Sequence, residues 1–358
     1  MNPFEKNAKF KEGQNENVPF AEKPAADFIG DKSEIEDYLQ KWRTGTFVKG
    51  LSTGLPLFDK FYLFKRGNYN VFNGYDNVGK STTLWYLNLL SAILYDWKWI
   101  IYSNENRNGT VIKRLIEFYC CEKIEKIEAK KYLHAKNFID EHFTIIRNDK
   151  LFNYRDLLLV ADKINDNKKH DGLLIDPYNS LIIDLAYTSK LNTHEYHYEA
   201  ASEMQLKSKR DDMCIYLNCH VITNAMREKR VPGKADTEGG VKFANKADDF
   251  ATIHREVQNR EEWMKTQIHV RKIKEIETGG GYTPMDQPFI LKMIHSGCGF
   301  EDSEGFNPIY SLTGTKAPVD PNLNGAADFK MKPTESEHTV TIDGITYPAI
   351  AETDEIPF

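Results

Sequence analysis

The octapeptide Gly74-Tyr75-Asp76-Asn77-Val78-Gly79-Lys80-Ser81 constrains this chain more than any other stretch. Two glycines, a lysine and a hydroxyl residue at this spacing fit a loop whose backbone N–H groups wrap phosphates. The lysine then reaches the outer phosphates and the serine hydroxyl ligates magnesium. Gly74 to Thr82 is therefore the expected site for a magnesium-bound nucleoside triphosphate, with Lys80 on phosphate and Ser81 on the metal. The flanks agree. Apolar Tyr69-Asn70-Val71-Phe72 leads in, and Leu84, Leu87, Leu90, Ile93 and Leu94 follow at helical spacing, which predicts strand, loop and helix. A glycine-rich turn before an ordinary helix is the plainer alternative.

A chain of 358 residues buries a substantial core, whether as two or three domains or as one enlarged α/β domain with tails. Cys120, Cys121, Cys214, Cys219 and Cys298 lack paired metal spacing, which argues against a zinc site or a disulfide framework. No signal-peptide pattern opens the chain and no run is long enough to span a bilayer, so the expectation is a cytoplasmic protein without a membrane partner. The net charge of −6 offers no global attraction to nucleic acid, so any such site must be a local basic surface.

Residues 1–30 are polar and aperiodic and read as a flexible arm. Residues 31–50 hold a short linker helix: Ser33 and Glu36 form a capping box, and Ile35, Tyr38, Leu39 and Trp42 make one apolar stripe that ends near Gly45. That stripe needs a partner, either its own core or a neighbouring subunit. Over residues 51–300 strand candidates (Trp99 to Tyr102, Gly172 to Ile175, Cys214 to Asn218, Phe250 to His254, Gln267 to Val270) alternate with helical stretches (Ser81 to Tyr95, Thr110 to Glu122, Tyr154 to Ile164, Glu195 to Lys209). The alternation predicts an α/β domain, a mostly parallel sheet flanked by helices with ligands at the carboxyl edge of the strands. Residues 301–358 read as a tail holding a hairpin, Thr339 to Ile342 and Ile345 to Pro348 around Asp343-Gly344, and a closing acidic tip.

Three further strand ends carry chemistry. Gly172-Leu173-Leu174-Ile175-Asp176 has the form of the second element of a phosphate-loop ATPase, a strand whose terminal aspartate holds the magnesium shell, although apolar strands ending in Asp are also common in ordinary cores. Trp99 to Asn104 ends in Glu105, a carboxylate placed to polarise an attacking water or simply to favour the following helix N-terminus. Cys214 to Cys219 ends at His220, which taken alone is more often structural.

The order of lead-in Ser52-Thr53-Gly54-Leu55-Pro56-Leu57-Phe58-Asp59, phosphate loop, Glu105, Asp176 and His220 resembles the RecA-like ATPase domain of ring-shaped replicative helicases. The DnaB family is the broad match, and the bacteriophage primase-helicases and the Twinkle type are nearer. The resemblance covers about Ser52 to Thr283 and continues through Glu238 to Asp248 and Ile253-His254-Arg255. It implies ATP as the nucleotide, Glu105 as catalytic carboxylate, Asp176 on magnesium and His220 as a sensor of the terminal phosphate. DnaB itself has glutamine at the histidine position. The family's trans-acting Lys-x-Arg finger would fall at Val270-Arg271-Lys272-Ile273-Lys274, where lysine replaces arginine, so that either Lys274, or Arg271 in a shifted register, would serve. The resemblance also implies a linker helix docked on the next subunit of a ring, most simply a hexamer, and here without a primase domain.

Within such a ring, single-stranded DNA would meet Arg227, Lys229, Arg230, Lys234, Lys242 and Lys246, the densest basic stretch of the ATPase region. Lys190 to His194 and the helix after it would lend support. The closing Asp354-Glu355-Ile356-Pro357-Phe358 resembles the acidic tip of bacterial single-stranded-DNA-binding proteins and would suit a separate primase, polymerase or loader. The expectation is a phage-type replicative helicase acting in a bacterial host cytoplasm. A RecA-like recombinase or strand-annealing ATPase and a non-motor nucleotide-gated loader are the alternatives.

Overall fold

The computed structural model describes residues 24, 29–46, 49–184, 192–228, 230–314, 339–342 and 345–348. Most of the expected arm, Lys190, Lys229 and the acidic tip lie outside the described residues. The chain runs through α1 (Lys32–Arg43), α2 (Pro56–Asp59), β1 (Tyr69–Asn73), α3 (Lys80–Tyr95), β2 (Trp99–Ser103) and α4 (Asn108–Cys120). It continues with α5 (Ala129–His142), β3 (Phe143–Ile145), α6 (Tyr154–Asn167), β4 (Gly172–Asp176), α7 (Thr193–Arg210), β5 (Cys214–Cys219), α8 (Thr223–Arg227) and α9 (Lys242–Lys246). Strands β6 (Asp249–His254), β7 (Lys265–Ile273), β8 (Phe289–Ile294) and β9 (Gly299–Glu301) and helix α10 (Pro308–Thr313) complete this part.

Among the described residues the strands form one nine-stranded sheet in the order β3-β2-β4-β5-β1-β6-β7-β8-β9. The first six run parallel, and β7, β8 and β9 add on antiparallel. The parallel strands are apolar on both faces because both are covered. Phe72, Ile101, Leu174 and Tyr216 point into one core with Leu84, Leu87 and Leu90 of α3, Leu115 and Phe118 of α4 and Ile139 of α5. Their neighbours Val71, Ile100, Leu173 and Leu217 point into the other, against Leu157 of α6, Met204 of α7 and Phe243 of α9. The mostly parallel, helix-flanked α/β sheet expected from the alternation is thus present.

Several elements differ from the expectation. Asp31, not Ser33, caps α1, accepting from the Ser33 amide at 2.7 Å, so the helix starts one residue earlier and Ser33 with Glu36 does not form a capping box. A carboxylate two residues ahead wins because it adds charge to the cap. No sequence pattern announces helix α5 or strands β3, β8 and β9. In α5 only Ala135, Ile139 and His142 are buried, too few for a clear period, and β3 and β9 are three residues each. The packed chain also continues past residue 300: the Tyr86 hydroxyl donates to Asn307 Oδ1 at 3.0 Å and Ile309 is buried against the first core.

The chain divides into two compact units, Met1–Thr315 and Lys316–Phe358. In the second, β10 (Thr339–Ile342) and β11 (Ile345–Pro348) pair antiparallel, with Ile342 opposite Ile345. No helix among the described residues is long and apolar enough to cross a membrane.

Candidate nucleotide site and basic face

The parallel register brings the carboxyl ends of β1, β2, β4, β5 and β6 to one edge, and the expected site residues gather there. Residues 74–79 form the loop between β1 and α3, with Asn77 and Gly79 in the left-handed region at φ 60° and 88°. Two glycines are required by contact as well as torsion. A Cβ on Gly74 would sit 2.2 Å from the Ile253 carbonyl oxygen, and one on Gly79 would sit 2.5 Å from Arg255 Nη2. The loop closes over β6 with no room for a side chain.

Lys80 opens α3 and is buried, its Nζ donating to the carbonyls of Gly74 at 3.0 Å and Tyr75 at 2.7 Å. Burial lowers its pKa, and Asp76, Asp176 and Glu105 oppose that shift. Ser81 Oγ donates to Asp176 Oδ1 at 2.9 Å, and Asn218 Nδ2 donates to the same oxygen at 2.5 Å. Ser103 Oγ lies 3.4 Å from Asp176 Oδ2. Asp176 is fully buried at the end of β4, and burial raises its pKa against those donors. A buried carboxylate and a hydroxyl converging beside a lysine are hard oxygen ligands suited to magnesium, an ion that commonly keeps several waters and takes further oxygens from phosphate. Among the described residues no cluster of three His, Cys, Asp or Glu could hold a metal by itself.

His220, just past β5, joins two acids. Its Nδ1 lies 2.6 Å from Asp76 Oδ1 in the phosphate loop, and its Nε2 lies 3.2 Å from Glu105 Oε1 beyond β2. Its backbone is held from both sides: its N–H donates to Asn179 Oδ1 and its carbonyl accepts from the Glu238 amide, each at 2.9 Å. Glu105 and Asp76 remain more than half exposed, facing a cleft of about 570 Å³ that Lys80, Ser81, Thr82 and His220 also line. Val78 lies beneath this loop in the core.

Four cleft groups carry no role in the sequence pattern: Asn218, Ser103, Arg114 and Arg255. Arg255 is buried directly after β6, and its Nε donates to Thr266 Oγ1 at 3.2 Å. Burial lowers its pKa. It stands at the end of β6 as Glu105, Asp176 and His220 stand at the ends of their strands, and that repeated position is the available signal. Asn218 is legible as an amide inside an apolar strand. Arg114 is tied to the Gly297 carbonyl at 2.8 Å, a partner that only folding supplies.

The finger candidates lie elsewhere. Because β7 is antiparallel, its end falls at the opposite edge of the sheet, where Lys274 Nζ pairs with Asp248 at 3.1 Å and stays partly exposed. Arg271 occupies a bulge in β7 and turns inward, its Nε donating to Thr252 Oγ1 at 3.1 Å. Burial lowers its pKa. Lys272 caps the end of α9 through the carbonyls of Ala244, Asn245 and Ala247 at 3.0, 2.9 and 2.5 Å. Lys274 thus stands across the sheet from its own phosphate loop, and Arg271 is committed within its own chain.

The basic stretch is also divided. Arg227 and Lys234 are exposed. Arg230 is clasped by Asp236 at 2.5 and 2.8 Å and by Glu228 at 2.5 Å, so it closes its own loop rather than offering a free cation. That loop is fastened to the nucleotide site. Asn73 Nδ2 donates to the Gly233 carbonyl at 2.9 Å and to Thr237 Oγ1 at 3.0 Å, while the Tyr75 hydroxyl bonds the Ala225 carbonyl at 2.6 Å and that of Arg230. Lys242 and Lys246 lie apart from it on α9.

No protein-family model matches the chain. Among solved structures it superposes on an isolated ATPase domain with a TM-score of 0.62 at 16% identity, over 76% of this chain and 99% of that one. A DnaB-like replicative helicase, described with its primase interactions, follows with a TM-score of 0.60 at 14% identity, covering 76% of this chain and 66% of that one. The fold is that of the DnaB-type ATPase domain. In sequence this RecA-like domain is similar to the Twinkle homolog protein, chloroplastic/mitochondrial, of Arabidopsis thaliana, 25% identical over 268 residues. That match takes in 69% of this chain, which spans 36% of the length of the relative.

Proposed function

We propose that this chain is the motor of a ring-forming, phage-type replicative DNA helicase that hydrolyses ATP and translocates on single-stranded DNA. The observation that carries the proposal is His220 bridging Asp76 of the phosphate loop and Glu105, beside the Ser81–Asp176 pair, all at one edge of a DnaB-type sheet. In this reading residues 74–79 cradle the phosphates through their amides, and Lys80 leaves the Gly74 and Tyr75 carbonyls to contact them. Ser81 and Asp176 hold magnesium, which supplies charge neutralisation on the phosphates when bound. Glu105 orients the attacking water and accepts its proton. His220 changes partners when the terminal phosphate arrives between the two acids, and it passes the change through its backbone to Glu238 and the segment that follows.

Completion of the site falls to the next subunit. Lys274, exposed at the far edge, is the better candidate for the trans-acting finger, since Arg271 is spent inside its own chain. As a point charge Lys274 would serve with less geometric specificity than an arginine fork. Helix α1, with Ile35, Leu39, Tyr38 and Trp42 all exposed, is the natural strap between subunits. Arg227, Lys234, Lys242 and Lys246 with Lys229 would face the DNA, and the acidic terminal residues suit a primase, polymerase or loader.

A forked-duplex assay with ATP tests the motor, with Glu105→Gln as the control. The expected result is ATP-dependent strand separation that Glu105→Gln abolishes. Hydrolysis stimulated by DNA without strand separation, or filaments in place of rings by electron microscopy, would overturn it in favour of an annealing ATPase or a loader.

A further inference from the structure

We propose that Tyr198 is a base-stacking platform for single-stranded nucleic acid, with Lys242 and Lys246 taking the adjoining phosphates. The proposal rests on the single-stranded-DNA reading above and adds to it a residue and a mode of contact. Helix α7 buries Tyr196, Ala200, Ala201 and Met204 against the sheet. Tyr198 lies off that face and is 48% exposed, so packing does not account for an aromatic ring there. Helix α9 runs beside it and presents Lys242 and Lys246 one turn apart, their Nζ atoms 5.4 and 4.5 Å from the Tyr198 ring centroid.

These two lysines differ from most cations near them. Arg230, Lys207, Arg210 and Lys274 are each paired with carboxylates. Among the described residues neither Lys242 nor Lys246 makes a salt bridge; Lys242 Nζ donates instead to the His194 carbonyl at 2.8 Å, which fixes its stem. On a chain of net charge −6, positive charge thus collects at an exposed aromatic ring. The ring also adjoins a groove: a cavity of about 540 Å³ begins one helical turn earlier, lined by His194 and His197 of α7 and by Gly239 and Gly240. A strand leaving Tyr198 has a track to follow.

Relative magnitudes favour the exchange. An exposed cation–π contact is worth roughly two- to five-fold in an equilibrium constant. A base stacked on an aromatic side chain is worth roughly five- to 150-fold and tolerates any sequence. When a base takes the ring face, the ammonium groups pass to phosphate and both contacts gain.

The test uses the full chain with magnesium and a non-hydrolysable ATP analogue. Anisotropy titrations employ labelled oligothymidylate, and a second oligonucleotide carries 2-aminopurine, whose fluorescence reports stacking. Tyr198→Ala and Tyr198→Leu are expected to weaken binding about tenfold without changing its salt slope and to remove the stacking signal, while Tyr198→Phe keeps both. Replacing Lys242 and Lys246 together by Ala should lower the slope of log affinity against log salt by about 1.4. Wild-type protein that ignores single strands would overturn the DNA reading and the platform together. Binding by wild type with Tyr198→Leu indistinguishable from it would overturn the platform alone, and Leu retains the bulk should Ala fail to fold.

Discussion

Asp176 and His269 show how single buried groups set opposite pH responses. Burial raises the Asp176 pKa above its unfolded value, so stability from this group is present below about pH 4 and is lost as pH rises through the raised value. Asp176→Asn should therefore have a higher Tm than the wild type at pH 7 without magnesium, with the gap closing toward pH 4, while magnesium-dependent turnover is lost. Calorimetry across that range checks it. His269 behaves inversely: burial, then Arg271 and His254, bring its pKa down to about 4, and its Nδ1 is buried with no hydrogen-bond partner among the described residues. Its folded pKa lies below the unfolded value near 6.5, so about 2 to 3 kcal/mol of stability is present above pH 6.5 and drains away between about 6.5 and 4. Denaturant titrations of His269→Gln should show that slope flattened. At Glu105 the stability cost is small because the side chain is exposed, whereas Glu105→Gln should lower kcat by about 10² to 10⁴ with nucleotide binding retained. Single-turnover hydrolysis against a binding titration separates the two.

At the scale of elements, two contacts decide whether the site is presented at all. Helix α9 has five residues, too few to persist alone, and the Lys272 ammonium gathers three of its terminal carbonyls. Burial lowers the Lys272 pKa, as expected for a cation held largely by carbonyls. Lys272→Met should cost about 1 to 3 kcal/mol and loosen the helix that carries Lys242 and Lys246, visible as faster amide exchange over α9. Strands β2 and β4, which aim Glu105 and Asp176, meet at Gly172, where a Cβ would lie 2.4 Å from the Trp99 ring. The bulge at Arg271 belongs to the same class, since one extra residue in β7 turns a cation of the expected finger motif into an internal tie to Thr252.

For the whole molecule, the two edges of the sheet carry complementary halves of a reaction. The phosphate loop lies at the carboxyl edge and Lys274 at the other, which suits a head-to-tail assembly in which each cleft is completed by a neighbour. Helix α1 has no buried residue, and its stripe supplies the apolar area for that assembly. Leu39→Glu with Ile35→Glu should shift a ring toward monomers in light scattering while leaving the thermal transition of the ATPase unit in place. Lys274→Ala should reduce turnover in assembled protein, and mixing it with a Lys80→Ala partner chain should restore some activity at mixed interfaces.

The sequence by itself determined the phosphate loop, the parallel sheet and the identities of Glu105, Asp176 and His220, because each rests on local pattern: glycine at special torsions, apolar strands, a polar residue at the strand end. Tertiary structure decided the rest. Only the antiparallel turn of β7 puts Lys274 at the far edge, and only its bulge turns Arg271 inward. Only the packed loop commits Arg230 to Asp236, and only the packing of α9 on α7 sets Lys242 and Lys246 beside Tyr198. The availability of a charge depends on neighbours distant in sequence, and a linear pattern counts charges without pairing them.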